Sequence, residues 1–303
     1  MACRGVEITM KNVKTIPVNV SEQLNNVATK NGERLEVLTQ YYVQERWLYR
    51  LSISAYQERF LLKGNHLLCA LTNGSVKPSV GIALSSRHIT HDSKQLQHVF
   101  EEICAIEVPE DGVEFLVDDL KVTTIKGGVS IEMPVSIGAL HTHLNIEISF
   151  GDQLVLTPKT VVFPTLLDMA PPVVFAHSIE VIIAEKFEAM ISLVESDDSM
   201  KDFYDVYVLL TTQSFEGRVL QEAISEAFDR RRTRIEKDHP VLSKQFYLDA
   251  QRNKQWHAFM GQQAVSFEEV MKRLQKVLVP IYSVIVIEDE FFKNWDCQLQ
   301  DWQ

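Results

Sequence analysis

From His141 to Phe150 the chain alternates strictly: Leu144, Ile146, Ile148 and Phe150 fall on one face, His143, Asn145, Glu147 and Ser149 on the other. Glu147, in the middle of the polar face, has the chemistry of a general base or a metal ligand. His141 and His143 put two imidazoles on that face, but no third ligand stands at a motif-like spacing, so a zinc site there rests on two ligands alone.

A lysine is the next candidate. Ile179, Ile182, Ile183, Phe187, Met190, Leu193 and Val194 recur at helical spacing, and Lys186 falls on the same apolar face. Lysine is seldom buried without a partner. Either its stem packs on apolar surface while the ammonium reaches water, or the ammonium enters a cleft and binds phosphate. Ser199-Met200-Lys201-Asp202 then reads as a helix start, with Ser199 at the N-cap and Asp202 at capping-box spacing. One turn on, Asp205 either pairs with Lys201 on an exposed surface or belongs to a site. Arg230, Arg231, Arg232 and Arg234 at a helix end suit the helix dipole, and they also suit RNA phosphates.

These groups need elements to position them. Apolar spacing predicts a helix over Glu33 to Leu51, continuing in similar style from Tyr56 to Leu62 until Lys63-Gly64-Asn65 interrupts. Between Pro78 and Asp152 the runs PSVGIALSS, ICAIEV, VEFLV, LKVTTI, GVSIEMPVSI and HLNIEISFG predict one sheet. DSKQLQHVFEEI predicts a helix between the first two, with Asp92 at its N-cap. FPTLLDMAPPVVFAHS predicts an extended connector, since Pro171-Pro172 cannot sit inside a helix. Beyond it, helices are expected near 178–195, 199–211, 217–232, 241–260 and 266–279. The expected domains are 1–172 and 173–303.

With 303 residues, 46% of them hydrophobic, the chain can bury a sizeable core. A formal net charge of -11 offers nothing global to a polyanion, which excludes a generic DNA-binding protein. Cys3, Cys69, Cys104 and Cys297 are scattered as thiols of a reducing cytosol would be, with no thiolate zinc spacing. MACRGVEITMKN lacks an apolar core of signal-peptide length, and no apolar run approaches bilayer thickness. A cytoplasmic protein without membrane contact is expected.

YYVQERWLYRLSISAYQERFLLKGNHLL, FPTLLDMAPP, AEKFEAMISL and MKDFYDVYVLL occur in order between about Tyr41 and about Lys276. In these blocks the chain resembles the nucleotidyl transferase toxins of the AbiEii/AbiGii type, within the DNA polymerase β-like nucleotidyltransferase superfamily. The resemblance implies an α+β fold: a nucleotidyltransferase-like mixed-sheet domain with flanking helices, then a helical bundle. It also implies the toxin half of a toxin–antitoxin or phage-defence system. Members with known activity use a nucleoside triphosphate and magnesium, and some modify transfer RNA.

The active pattern has a Gly-Gly or Gly-Ser at a helix start, then Asp-x-Asp or Asp-x-Glu on a strand. The small pair lets backbone N–H groups approach a triphosphate, and the carboxylates share one strand face and hold Mg²⁺. Here Lys63-Gly64-Asn65-His66 keeps one glycine and replaces its small neighbour with Asn65. The strand positions fall in Lys77-Pro78-Ser79-Val80-Gly81-Ile82-Ala83, where Gly81 and Ala83 replace both aspartates and offer no side-chain oxygen. Such residues are also what a deliberate silencing would install, although Asn65 does not fit that pattern. The third carboxylate of the pattern matches Glu147.

By the same resemblance Glu147, Lys186 and Asp205 match catalytic positions. Lys63, Gly64, Asn65, Lys186, Lys201 and Asp202 match nucleotide-binding ones. Three functions follow from it. The first is a protein degenerate in metal chemistry that retains a nucleotide or RNA surface. The second is an active transferase moving a nucleotide or phosphate from a nucleoside triphosphate to transfer RNA, another RNA or a protein hydroxyl, with Mg²⁺ expected only then. The third is an interaction protein acting through an antitoxin partner.

Overall fold

The computed structural model of the protein describes residues 19–87, 92–150, 157–192, 199–261 and 265–303. Cys3, Leu193, Val194 and the side chain of Ser199 lie outside what is described.

Helices α1 (Val20–Asn31) and α2 (Leu35–Ile53) come first, α2 where a helix was expected. The helical continuation expected over Tyr56–Leu62 does not form. After a 3₁₀ turn at Gln57–Arg59 the chain becomes strand β1 (Phe60–Lys63). Phe60, Leu61 and Leu62 are all buried, and a short run that is apolar on both faces does not distinguish a central strand from a buried helix. Helix α3 (Gly64–Leu71) follows at once, then β2 (Ile82–Ser86) and α4 (Ser93–Cys104). As expected, Asp92 caps α4, accepting from the Lys94 amide at 2.8 Å and the Gln95 amide at 3.3 Å. The strand expected at ICAIEV is instead the last turn of α4 and a loop, because Ile103 continues the buried spacing of Leu96, Val99 and Phe100.

The remaining strands of the domain are β3 (Val113–Phe115), β4 (Lys121–Ile125), β5 (Gly128–Ile137), β6 (Leu140–Ser149), β7 (Lys159–Val162) and β8 (Val173–Ala176). The sheet order is β3-β5-β6-β2-β1-β8-β7, with β4 beside β3 along the same edge of β5. Two junctions are parallel, β2 with β6 and β1 with β8, and the others are antiparallel. The connector expected through Ser178 contains β8, so the sheet runs past the 172/173 boundary to Ala176. One face of the central strands carries Phe60, Leu62, Ile82, Leu84, Ile146 and Ile148, buried beneath α2 and α4. Trp47 stacks on Phe100 there at 5.2 Å between centroids, and Phe60 meets Phe100 edge-on at 5.9 Å. By alternation, Lys63, Ala83 and Glu147 project from the opposite face.

The second half is helical: α5 (Ile179–Ser192), α6 (Ser199–Thr212), α7 (Gly217–Arg231), α8 (Lys244–Leu248), α9 (Ala250–Met260) and α10 (Phe267–Val286). The helix expected over 241–260 is broken at Asp249, whose side chain accepts from the Arg252 amide and starts α9. Helix α10 runs seven residues beyond the expected stop at 279, through Pro280. Proline has no N–H for the carbonyl four residues back. That carbonyl, Lys276 O, accepts from the Trp302 indole at 3.3 Å. Trp302 belongs to an unexpected three-stranded sheet, β11 (Asp301–Trp302), β10 (Asn294–Asp296) and β9 (Phe215–Glu216), whose strands are too short to alternate legibly. Among the described residues no helix is long and apolar enough to cross a membrane.

Candidate functional site

Three strands bring the candidate residues into one row. Lys63 on β1 is registered with Ala83 on β2, and Ala83 with Glu147 on β6. Glu147 is exposed and has no ion-pair or hydrogen-bond partner among the described residues. The parallel register continues from Ile82 opposite Ile146, which sets Gly81 beside Asn145. The Lys63 ammonium donates to Ser149 Oγ at 2.6 Å. Strands β1 and β6 are two sheet spacings apart, about 9.5 Å. The lysine therefore spans β2, above the positions where side chains at 81 and 83 would stand.

Lys63 is the last residue of β1 and leads into the turn that starts α3. Gly64 adopts φ +63°, a left-handed conformation that favours glycine, and a Cβ on it would lie 3.4 Å from that of Ala83. The next residue, Asn65, accepts from the Lys201 ammonium at 2.7 Å, tying the turn to α6. Lys201 also pairs with Asp205 one turn along the helix. This is the i, i+4 pair open to the sequence, but it is not an exposed one: the Asp205 side chain is 3% accessible.

Asp205 is shared. Lys186 on α5 donates to Asp205 Oδ2 and to Asp202 Oδ1, each at 2.8 Å. Burial works against the Lys186 ammonium, but the Asp205 and Asp202 carboxylates more than offset it and hold its pKa above the ordinary lysine value. Lys186 thus sits on an apolar helix face because two carboxylates meet it there. Asp202, read as a capping-box residue, is turned to Lys186. The structure brings together Lys63, Gly64, Asn65, Lys186, Lys201, Asp202 and Asp205 through shared hydrogen bonds, and sets Glu147 in the row beside Lys63.

Other residues named from the sequence go elsewhere. His141 and His143 are exposed, and among the described residues no group of three His, Cys, Asp or Glu side chains could hold a metal ion, so the zinc suggestion is withdrawn. Arg230 pairs with Glu185 at 2.8 Å and Arg231 with the buried Glu188, while Arg232 caps α7 at φ 58°. The run fastens α7 to α5, as the structural reading of it requires.

The sequence gave no warning of the polar stripe on α2 that clamps three site-bearing segments. Gln44 Nε2 donates to Val80 O at 2.6 Å and Ser79 O at 3.1 Å, fixing the entry to β2, while Gln44 Oε1 meets His66 Nε2 of α3 at 3.0 Å. Glu45 accepts from the Leu166 amide at 2.7 Å, and Arg46 donates to Ala170 O at 2.9 Å. Burial pushes the His66 imidazole down to about 3 and the Glu45 carboxyl up to about 7. The one available signal was Gln-Glu-Arg inside an otherwise apolar helix, which explains why YYVQERWLYR and FPTLLDMAPP occur together.

A mixed sheet whose central strand ends in a lysine–glycine turn, with a lone strand carboxylate in the same row, is an α+β scaffold of nucleotidyltransferase type. The profile of the nucleotidyl transferase AbiEii toxins of type IV toxin–antitoxin systems matches residues 46–278, and the chain belongs to that family. Two solved structures from Helicobacter pylori are similar. A candidate nucleotidyltransferase is 13% identical over 84% of this chain and 98% of its own, with TM-score 0.48. JHP933 is 14% identical over 83% and 94%, with TM-score 0.44. No curated protein matches the chain.

Proposed function

We propose that this toxin-family protein keeps a nucleotide-binding or RNA-binding face and has lost efficient metal-dependent transfer. The observation behind the reading is the pairing of β2 with β6. Gly81 and Ala83 stand beside Asn145 and Glu147, so one carboxylate remains where three would converge. Magnesium needs a near-octahedral set of hard oxygens, and its role in this chemistry is to neutralise charge on the moving phosphoryl or nucleotidyl group. A single exposed glutamate does not make that set, so no step is derived through the metal. In this reading Lys63 and the α3 amides contact phosphate. Lys201 and Lys186 hold the turn and α6 in place, and Glu147 could accept a proton but has nothing fixed beside it. An antitoxin is the partner the family implies.

The test restores the pair. A Cβ at residue 81 would meet Asn145 O at 3.5 Å and Asn145 Cβ at 3.7 Å, ordinary contacts, so Gly81→Asp fits. Gly81→Asp with Ala83→Asp should yield growth inhibition, or incorporation of labelled nucleoside triphosphate into transfer RNA, that the parent lacks. Incorporation by the parent chain, abolished by Glu147→Ala, would refute the reading. That result would establish the active transferase, a reading favoured by the intact Lys186–Asp205–Lys201–Asn65 network.

A further inference from the structure

In an active site of this type the strand carboxylates are electrostatically unusable until metal ions neutralise them, because phosphate will not approach an anionic face. This chain has removed those carboxylates and set an ammonium over the same strand. Among the described residues three lysines, Lys63, Lys186 and Lys201, meet three carboxylates, Glu147, Asp202 and Asp205. Aspartates at 81 and 83 would bring the same cluster to a formal charge of -2. Lys186 and Lys201 are engaged with Asp202 and Asp205. Lys63 donates to a serine hydroxyl at 2.6 Å, a neutral acceptor that a phosphate oxygen can replace. Below it Gly81 and Ala83 leave the room that two aspartate side chains would fill, and Gly64 begins the helix whose first amides point the same way.

We propose that the Lys63 ammonium, lying across β2, does the electrostatic work of the missing metal ions, so that this face binds a triphosphate chain without a divalent cation. The inference rests on the nucleotide-binding reading above and adds to it the identity of the cation and the independence from metal. The ligand class is the polyphosphate itself. A nucleoside triphosphate carries it, and the base contributes no contact that the proposal needs.

The experiment is calorimetric titration of the full chain with inorganic tripolyphosphate and with each of the four ribonucleoside triphosphates. Each titration is run in EDTA and again in excess magnesium. The expected result is binding in EDTA at an affinity within about threefold of that in magnesium, weakening as sodium chloride is raised. Lys63→Met should weaken binding in EDTA at least tenfold, while Lys63→Arg, which keeps the charge, should stay within about threefold of the parent. Circular dichroism and thermal melting of both variants establish that they are folded. Gly81→Asp with Ala83→Asp should reverse the ion dependence: weak binding in EDTA, recovered by magnesium. Binding that disappears in EDTA and returns with magnesium in the parent overturns the inference and leaves the nucleotide reading standing. So does a folded Lys63→Met that binds as tightly as the parent in EDTA. Absence of binding for all five probes under both conditions overturns the nucleotide reading itself.

Discussion

Lys186→Met is the substitution whose cost the structure sets most directly. Lys186 bridges two carboxylates at 2.8 Å each; its own side chain is 15% accessible and that of Asp205 is 3%. Removing one partner of a buried pair costs about 3–5 kcal/mol, because the other charge is stranded. Two features reduce this. Lys201 remains on Asp205, and Asp202, 29% accessible, can be hydrated. Methionine also keeps the stem packed on the apolar face of α5, so the expected loss is about 2–3 kcal/mol. Asp205→Asn combined with Lys186→Met should lose less than the sum of the two, with a coupling of about 1–2 kcal/mol. Urea unfolding of the parent, both single variants and the double variant measures each quantity, provided the denaturant slope is unchanged. A Lys186→Met loss below about 0.5 kcal/mol, or additive single effects, would show that the cluster is not a buried ion-pair network. The same experiment governs how activity data are read. An inactive Lys186→Ala protein says nothing about chemistry until it is shown to be folded.

His66→Gln tests the clamp beneath α3. Burial holds the folded imidazole at about 3, below its unfolded value of about 6.5, so as pH falls through that window the unfolded chain takes up a proton the folded chain refuses. Relative to the variant, the parent should lose about 1.4 kcal/mol per pH unit between about pH 6.5 and pH 3, and unfolding at about pH 7, 5.5 and 4 measures this. A difference that does not change with pH means His66 titrates normally. Gly64→Ala places an alanine at φ +63° and its Cβ 3.4 Å from Ala83, so a destabilisation of about 1–2 kcal/mol is expected in urea unfolding. A cost under about 0.3 kcal/mol would mean that the turn relaxes to another conformation.

The sequence by itself determined the strand that carries Glu147, the cap at Asp92, the helices that carry Lys186 and Asp205, and the emptiness of positions 81 and 83. These depend on local periodicity or on residue type, which neighbours along the chain reveal. It did not reveal that Phe60–Lys63 is a central strand, because a run buried on both faces loses its alternation. Nor did it show the small sheet around Trp302, built from strands of two or three residues joined across the chain. The roles of the lysines were decided only in three dimensions. Whether a lysine on an apolar face reaches water, a phosphate or a carboxylate depends on what a distant segment sets opposite it. For Lys186 that is Asp202 and Asp205, one helix further on. For Lys63 it is a serine two strands away, and the sheet order that brings β1, β2 and β6 side by side is written in no single stretch of the chain.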